Sequence, residues 1–397
     1  MYYFDNAATT KIKPDSVIAA VVDAMKNSGN ASRGASDESL SADRIIFSCR
    51  RKVNALFNGD GPKQVAFTKN STEALNVALL GLIKEDDHVI TTVTDHNSVL
   101  RPLNFLKVSR NISLDYLGID PEGHLLLDQL EDLKKANTRV LVANHISNVT
   151  GNINDLYRLG DFCKKEGIIF IVDGSQSAGA FNIDMEAMNI DVLCFTGHKS
   201  LYGPQGTGGL CVKKNISIDP LLYGGTGVQT YYELQPEEMP TRLEAGTLNS
   251  HGLAGLEAGL TYIKDQGMEK LTERAQKLSK IFYEGIKDLT SIKFFGDYRD
   301  FSKRAPIVSF NLGEMDSAYV SMVLADKYKI STRPGGHCAP LLHKSFKTVD
   351  QGMVRFSFSH FNTKEEVEIA IQAIREIAKE EGGFKWIFLK RKKVYLS

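Results

Sequence analysis

Polar residues of reactive type follow one strand-like segment after another along this chain. Ser71 and Thr72 come shortly after QVAFT (64–68), and Asp95 and His96 follow HVITTV (88–93). His145 and Asn148 follow RVLVAN (139–144). Asp173 follows IIFIV (168–172) directly, with Gln176 three residues on. Thr196 ends VLCFT (192–196), and His198 and Lys199 come next. In an open parallel sheet the C-terminal strand ends line one crevice, and ligands bind there. One polar residue after a strand is ordinary. Five strands doing the same points to a site.

The densest stretch is FTGHKSLYGPQGTGGL (195–210). It is not a Walker A loop, because His198 rather than glycine precedes Lys199-Ser200. It is not a dinucleotide fingerprint either, because its glycines (Gly203, Gly206, Gly208) have the wrong spacing and Pro204 lies among them. What remains is a lysine at a strand end, with hydroxyls, a histidine and glycines close by. Such a lysine can form a Schiff base with a carbonyl compound. Pyridoxal phosphate would need that lysine, an acid for its ring nitrogen, a planar group for its ring, and hydroxyls with a helix N-terminus for its phosphate. Lys199, Asp173, His96 and Ser71/Thr72 supply these types. Each has a plainer reading: Asp173, Ser71 and Thr72 as helix caps, His96 as a structural histidine. Their joint occurrence favours the cofactor.

TRPGGHCAPLLH (332–343) sets Cys338 beside His337 in a turn-rich segment. The thiol could be a small buried hydrophobe, a metal ligand or a nucleophile. His337, Cys338 and His343 lack metal-site spacing, so no metal is expected. Arginine, proline and two glycines around the cysteine argue against a core position. A thiolate on a mobile, accessible loop suits a nucleophile.

The elements that must position these residues alternate strand and helix through the first two-thirds of the chain. STEALNVALLGLI (71–83) and INDLYRLGDFCKKEG (153–167) are amphipathic helices between strands. This argues for βαβ units and a mostly parallel sheet. Beyond about residue 260 the pattern becomes α+β. A helix at 268–289 precedes the strand IVSFNL (307–312), and another helix starts at a capping box of Thr363 and Glu366. We expect an N-terminal segment (1–15) packing near the small domain. A large cofactor-binding domain (16–260) and a small C-terminal domain (261–397) follow, joined by a helix near 250–270. The tail 382–397, with the basic run Lys390 to Lys393, is expected to dock on the body.

The 397 residues are long for one core and fit about two domains. Lys+Arg and Asp+Glu both total 48, so no global field recruits nucleic acid or anionic membrane. The N-terminus MYYFDNAATT reads as no secretory signal, and no apolar run could span a bilayer. Five cysteines without paired spacing favour free thiols in a reducing cytoplasm. The four other than Cys338 sit in apolar or helical contexts and read as structural.

These residues resemble the class V aminotransferase family, and within it the cysteine desulfurases and selenocysteine lyases. The resemblance runs from Phe4-Asp5-Asn6-Ala7-Ala8-Thr9-Thr10 through Asn70-Ser71-Thr72-Glu73-Ala74-Leu75-Asn76 and Asp95-His96-Asn97. It continues through Ser147-Asn148-Val149-Thr150-Gly151, Val172-Asp173-Gly174-Ser175-Gln176 and Thr196-Gly197-His198-Lys199. It ends with Glu244-Ala245-Gly246-Thr247 and Gly336-His337-Cys338-Ala339. It implies an α/β, fold type I pyridoxal-phosphate protein: a large domain with a mostly parallel, seven-stranded-type sheet, and a smaller α+β domain. Lys199 would hold the cofactor and move the proton. Asp173 would pair with the ring nitrogen, Gln176 with the ring hydroxyl, and His96 with the ring face. Thr72, Thr196 and His198 would hold the phosphate, with Ser71 beside them. Thr247 would reach the phosphate from a partner subunit, which implies a homodimer. Asn148 and Arg355 would bind the substrate carboxylate, with Arg333 just upstream of the cysteine.

Cys338 would accept sulfur from L-cysteine as a persulfide, leaving alanine, and a second thiol or acceptor protein would remove that sulfur. The loop resembles the short-loop desulfurase type, but Gly336 replaces a histidine, Pro340 follows Ala339, and His343 is an added titratable group. A selenocysteine lyase remains open. So does a class V aminotransferase or lyase that gives Cys338 no role.

Overall fold

The computed structural model describes residues 1–29 and 37–392. The side chains beyond Lys379, and with them the basic run and the tail's docking, lie outside the described residues, although the last helix continues to Lys392. The strands are β1 (Tyr2–Tyr3), β2 (Val65–Thr68), β3 (His88–Thr92), β4 (Ser113–Leu117), β5 (Thr138–Asn144) and β6 (Ile169–Asp173). They continue with β7 (Val192–Thr196), β8 (Gly208–Val212), β9 (Ile292–Phe295), β10 (Ile307–Leu312), β11 (Ile330–Ser331) and β12 (Val354–Ser357). The helices are α1 (Asp15–Asn27), α2 (Asp37–Phe57), α3 (Ser71–Leu82), α4 (Asn97–Ser109), α5 (Leu130–Leu133) and α6 (Leu156–Glu166). After them come α7 (Ser250–Gln266), α8 (Met268–Ile286), α9 (Ser317–Tyr328), α10 (Pro340–Ser345) and α11 (Lys364–Lys392).

A seven-stranded sheet in the order β2-β8-β7-β6-β5-β3-β4 forms the centre. All neighbours run parallel except at β8, which is antiparallel to both β2 and β7. The inner strands are mostly apolar, as strands covered on both faces tend to be: β6 and β7 are buried at every residue, with Asp173 and Thr196 at their ends. Two large apolar clusters make up the core of this part of the chain.

The sequence pattern marks β3, β5, β6 and β7, and Cys211 in GLCV (209–212) reads as a strand residue of β8, although that strand begins with two glycines. The reason is close approach. A Cβ on Gly208 would fall 2.7 Å from Asn70 Cα, and one on Gly209 would fall 2.5 Å from Ala66 O. The glycines let β8 pack where a side chain would collide with the start of α3 and with β2. The edge strand β4 escapes the apolar pattern, since four of its five residues are only partly buried.

The C-terminal part has its own antiparallel sheet, β12-β10-β9, and its own apolar cluster. β1 pairs in parallel with β11, and Phe4 belongs to that same cluster. The capping box forms as the sequence proposes. Thr363 Oγ1 accepts from Glu366 N–H, and Glu366 Oε2 accepts from Thr363 N–H, both at 3.2 Å. The helix expected near 250–270 is α7 and the one expected at 268–289 is α8; the two meet at Gly267, with φ of 84°. Among the described residues no helix is long and apolar enough to cross a membrane.

Candidate active site

The C-terminal ends of the sheet strands open into a cavity of about 320 Å³. Every nominated residue except Thr247 lines it. Asp173 and Thr196 come from the ends of β6 and β7, and Ser71, Thr72, His96, Asn148, Gln176, His198 and Lys199 from the turns that follow strands. Arg333, His337, Cys338 and Arg355 arrive from the C-terminal part, and Ala7 and Ala8 from the N-terminal segment. Two strand-end residues go elsewhere. His145 lines a different recess with His124 and Asp297. Asp95 is fully buried, and accepts from Thr91, Thr92 and the Asn144 N–H. Burial raises its carboxyl to about 7, against the pull of those donors. It ties β3 to the end of β5.

Asp173 Oδ1 accepts from Ser71 Oγ at 3.2 Å and from the Ser175 N–H at 3.0 Å. The Ser175 hydroxyl donates to the same oxygen. These donors fix the carboxylate in place. They also give Ser71 a role the sequence did not reveal: its hydroxyl serves the acid, while its backbone opens α3. The N-cap Asn70 side chain takes the Glu73 N–H. The N–H groups of Ser71 and Thr72, at the first two helical positions, have no intrahelical acceptor. They form an anion site at a helix N-terminus.

Lys199 lies half-buried on the cavity wall. Burial lowers its ammonium to about 8, opposed by Asp173 and reinforced by Arg355. His198, beside it, is held at about 4 by burial and then by Lys199 and Lys13. His96 is lowered by burial, although Asp173 pulls the other way. His96 caps α4: its Nδ1 accepts from the Ser98 N–H at 3.0 Å. The neutral ring therefore carries its proton on Nε2.

Arg355 is 3% exposed. It donates to Asn148 O at 2.7 Å and to Asp5 Oδ1 at 2.8 Å. Burial lowers its guanidinium, and Asp5 counters that. Sequence reasoning quoted Asp5 in its motif but did not identify it as this arginine's counter-ion. The pair spans about 350 residues of chain, which no local pattern encodes.

Cys338 is exposed and lines the cavity. The other four cysteines are buried, as the sequence implies, and all are free. His337 and Cys338 both take positive φ, 49° and 56°. Two consecutive non-glycine residues in that region cost roughly 1–2 kcal/mol each and must be held by neighbours. The holders are Asn148 Nδ2, donating to His337 O at 2.8 Å, and the Asn97 N–H, donating to Cys338 O at 2.7 Å. Asn97 is the first residue of α4, so the cysteine's own carbonyl takes one of that helix's free N–H groups.

Three buried polar atoms of the site have no partner: Thr196 Oγ1, Asn148 Oδ1 and Arg355 Nε. Unmet buried groups are costly and point to an occupant. With the α3 N-terminus for a phosphate, an acid at Asp173 and an amine at Lys199, the residues present fit pyridoxal phosphate.

Comparison with known proteins agrees. The model of the aminotransferase class-V family matches residues 2–369. This chain belongs to the class V aminotransferase family. Members of this family use pyridoxal phosphate. A probable cysteine desulfurase of Pyrococcus abyssi is 36% identical over 387 residues, covering 95% of this chain and 94% of that one. A cysteine desulfurase of Serratia proteamaculans is 31% identical, covering 95% and 93%. Among solved structures, the apo cysteine desulfurase of Thermococcus onnurineus NA1 superposes with a TM-score of 0.88 at 34% identity, over 95% and 94% of the two chains.

Thr247 lines a separate recess with Arg50, Lys63, Thr226, Glu244 and Gly246. It is not among the residues lining the cavity of its own chain.

Proposed function

We propose that this class V enzyme is a pyridoxal-phosphate-dependent cysteine desulfurase that passes the sulfur of L-cysteine to Cys338. The observation that carries this reading is the exposed thiol of Cys338, on the same cavity as Lys199 and Asp173. Buried inert thiols are the rule for the other four cysteines, and an aminotransferase would give Cys338 nothing to do.

Bound pyridoxal phosphate supplies an electron sink that lets the substrate Cβ–Sγ bond break. Asp173 keeps the ring nitrogen protonated through its fixed carboxylate. Gln176 serves the ring hydroxyl, although one of its amide N–H groups is already on Ala7 O at 3.1 Å. Ser71 and Thr72 N–H, with the hydroxyls of Thr72 and Thr196 and neutral His198, bind the phosphate. The Lys199 amine, lowered to about 8, is neutral often enough to take and return a proton. His96 would lie against the ring face. Arg355 and Arg333 neutralise the substrate carboxylate, with Asn148 positioning it. The Cys338 thiolate would form an S–S bond to the substrate sulfur as the Cβ–Sγ bond breaks; the bonding pair would pass to the carbon side, which the electron sink accommodates, and a proton added at Cβ would give alanine, leaving a persulfide on Cys338.

The finer parts of the reading have separate support. A sulfur acceptor, a thiol or a thiol-bearing protein, follows from the chemistry, since the persulfide must be discharged. A homodimer is supported by Thr247 lining a recess apart from its own chain's cavity. The segments 1–15, 16–260 and 261–397 are taken as N-terminal arm, cofactor-binding domain and small domain, supported by the separate apolar clusters. A cytoplasmic location is supported by five unpaired cysteines.

The test is alanine release from L-cysteine, and separately from L-selenocysteine, with a thiol reductant present. Wild type should release alanine from L-cysteine and Cys338→Ala should not. Undiminished release by Cys338→Ala would remove the cysteine from the reaction. Release from selenocysteine alone would make the protein a lyase of that substrate.

A further inference from the structure

We propose that His343 is a positioning residue for the Cys338 thiol, acting through the ring of His337. The inference rests on the sulfur-transfer reading of Cys338 and names what holds that thiol in place.

The geometry is a chain of four groups. His337 Nε2 lies 3.0 Å from Arg333 O. His337 Nδ1 faces His343 Nε2 at 3.4 Å. His343 Nδ1 lies 2.8 Å from Thr348 Oγ1. All three side chains are buried: His337 is 6% exposed, His343 2% and Thr348 4%.

The proton positions follow from the partners. A carbonyl oxygen only accepts, so His337 Nε2 carries a hydrogen. Burial, and next Arg355, hold the His337 ring well on the neutral side, so its Nδ1 keeps a lone pair. His343 Nε2 must therefore donate, since two lone pairs cannot face each other. His343 is also lowered by burial, so its Nδ1 is an acceptor, and the Thr348 hydroxyl donates to it. The charged groups acting on the His337 ring are Arg355 and Arg333, and both favour this neutral state. One proton direction satisfies all the ring nitrogens, and the Thr348 hydroxyl, 2.8 Å from His343 Nδ1, also lies 3.4 Å from His343 O.

The consequence falls on Cys338. Its loop leaves the β region at His337 and Cys338, where both residues take positive φ. The loop carbonyls are pinned by Asn148 and Asn97 from the sheet side. The histidine chain pins the other side, tying the start of the loop at Arg333 to α10, which follows it. Without His343, the His337 ring loses its second anchor and the strained backbone can relax. The thiol would then leave the position from which it faces the Lys199 cavity.

His343→Leu removes the donor to His337. His343→Gln keeps both a donor and an acceptor in nearly the same places. We expect His343→Leu to lower kcat for alanine formation about ten- to hundred-fold, as a misplaced nucleophile does. KM for L-cysteine should stay within about two-fold, and cofactor content should be unchanged. His343→Gln should recover kcat to within about three-fold of wild type. If His343→Leu does not fold, Thr348→Val, which removes only the hydroxyl, should lower kcat at constant KM in the same way. Independently of turnover, the rate of Cys338 carboxymethylation by iodoacetamide, followed by mass spectrometry, should change at least about three-fold in His343→Leu and not in His343→Gln. Wild-type kcat and labelling rate in both His343→Leu and Thr348→Val would overturn the proposal. So would a His343→Gln variant no better than His343→Leu. Failure of wild type to release alanine would instead count against the sulfur-transfer reading, while the labelling arm still decides the relay.

Discussion

The lowered ammonium of Lys199 makes a prediction about how fast the enzyme takes up its cofactor. A lysine attacks a carbonyl only as the free amine. At its ordinary value of 10.5, about one lysine in a thousand is neutral at pH 7.5. At about 8, roughly a quarter of the Lys199 side chains are neutral at that pH. The gain is about 200-fold in reactive amine. The sign follows from the cause. Burial disfavours the charged form, and Arg355 adds to this, while Asp173 partly restores it. The perturbation is therefore pH, applied to enzyme stripped of cofactor. Pyridoxal phosphate is added, and covalent attachment is followed by absorbance and fixed by borohydride. The rate of attachment should rise from pH 6.5 and bend to a plateau near pH 8. Lys199→Ala should show no fixed cofactor at any pH. Asp173→Asn removes the anion that favours the ammonium, so the bend should move to lower pH. Arg355→Leu removes a cation, so it should move to higher pH. A rate that climbs about ten-fold per pH unit through pH 9.5 would mean an ordinary lysine and would refute the reasoning.

Glu244 and Arg50 form a buried pair with side chains 6% and 8% exposed, and Glu244 Oε1 also takes the Phe67 N–H. Glu244→Ala should cost about 3–5 kcal/mol in denaturant unfolding, because it strands the guanidinium; a loss below about 1 kcal/mol would show the pair is not what holds α2 to β2. Thr247 should act across a subunit boundary. The protein should sediment as a dimer, and exchanging Thr247→Ala chains with Lys199→Ala chains should restore activity that neither has alone. A fully active monomer, or no recovery on exchange, would contradict that role.

The sheet was legible in the sequence where burial on both faces made the strands uniformly apolar. β10 falls on the predicted segment, and β5 to β7 lie within a residue of theirs. β8 was legible in GLCV, but the reason for its leading glycines was not, because they are explained only by Asn70 and Ala66 across the fold. β4 was not, because an edge strand lacks the apolar pattern. The site followed the same division. Lys199, Asp173 and His96 could be found because each follows its own strand, and strand ends converge. Asp5 lies in the N-terminal motif, yet its partner Arg355 is at the far end of the chain.

The Cys338 loop shows the same limit from the chemical side. The residue types named a nucleophile, but not what would hold one. Glycine at 335 and 336 suggested a mobile hinge. The strain sits one step later, on His337 and Cys338, which pay for positive φ without glycine's freedom. That arrangement persists only if partners over-determine it. Those partners are drawn from three places: Asn97 at the start of α4, Asn148 after β5, and His343 within α10. Two of the three follow strands of the central sheet, as Lys199 does. The thiol's loop is therefore tied to both sides: to the cofactor's side of the cavity by Asn97 and Asn148, and to its own small sheet by the pairing of Arg333 and Gly335 with Arg355 and Met353.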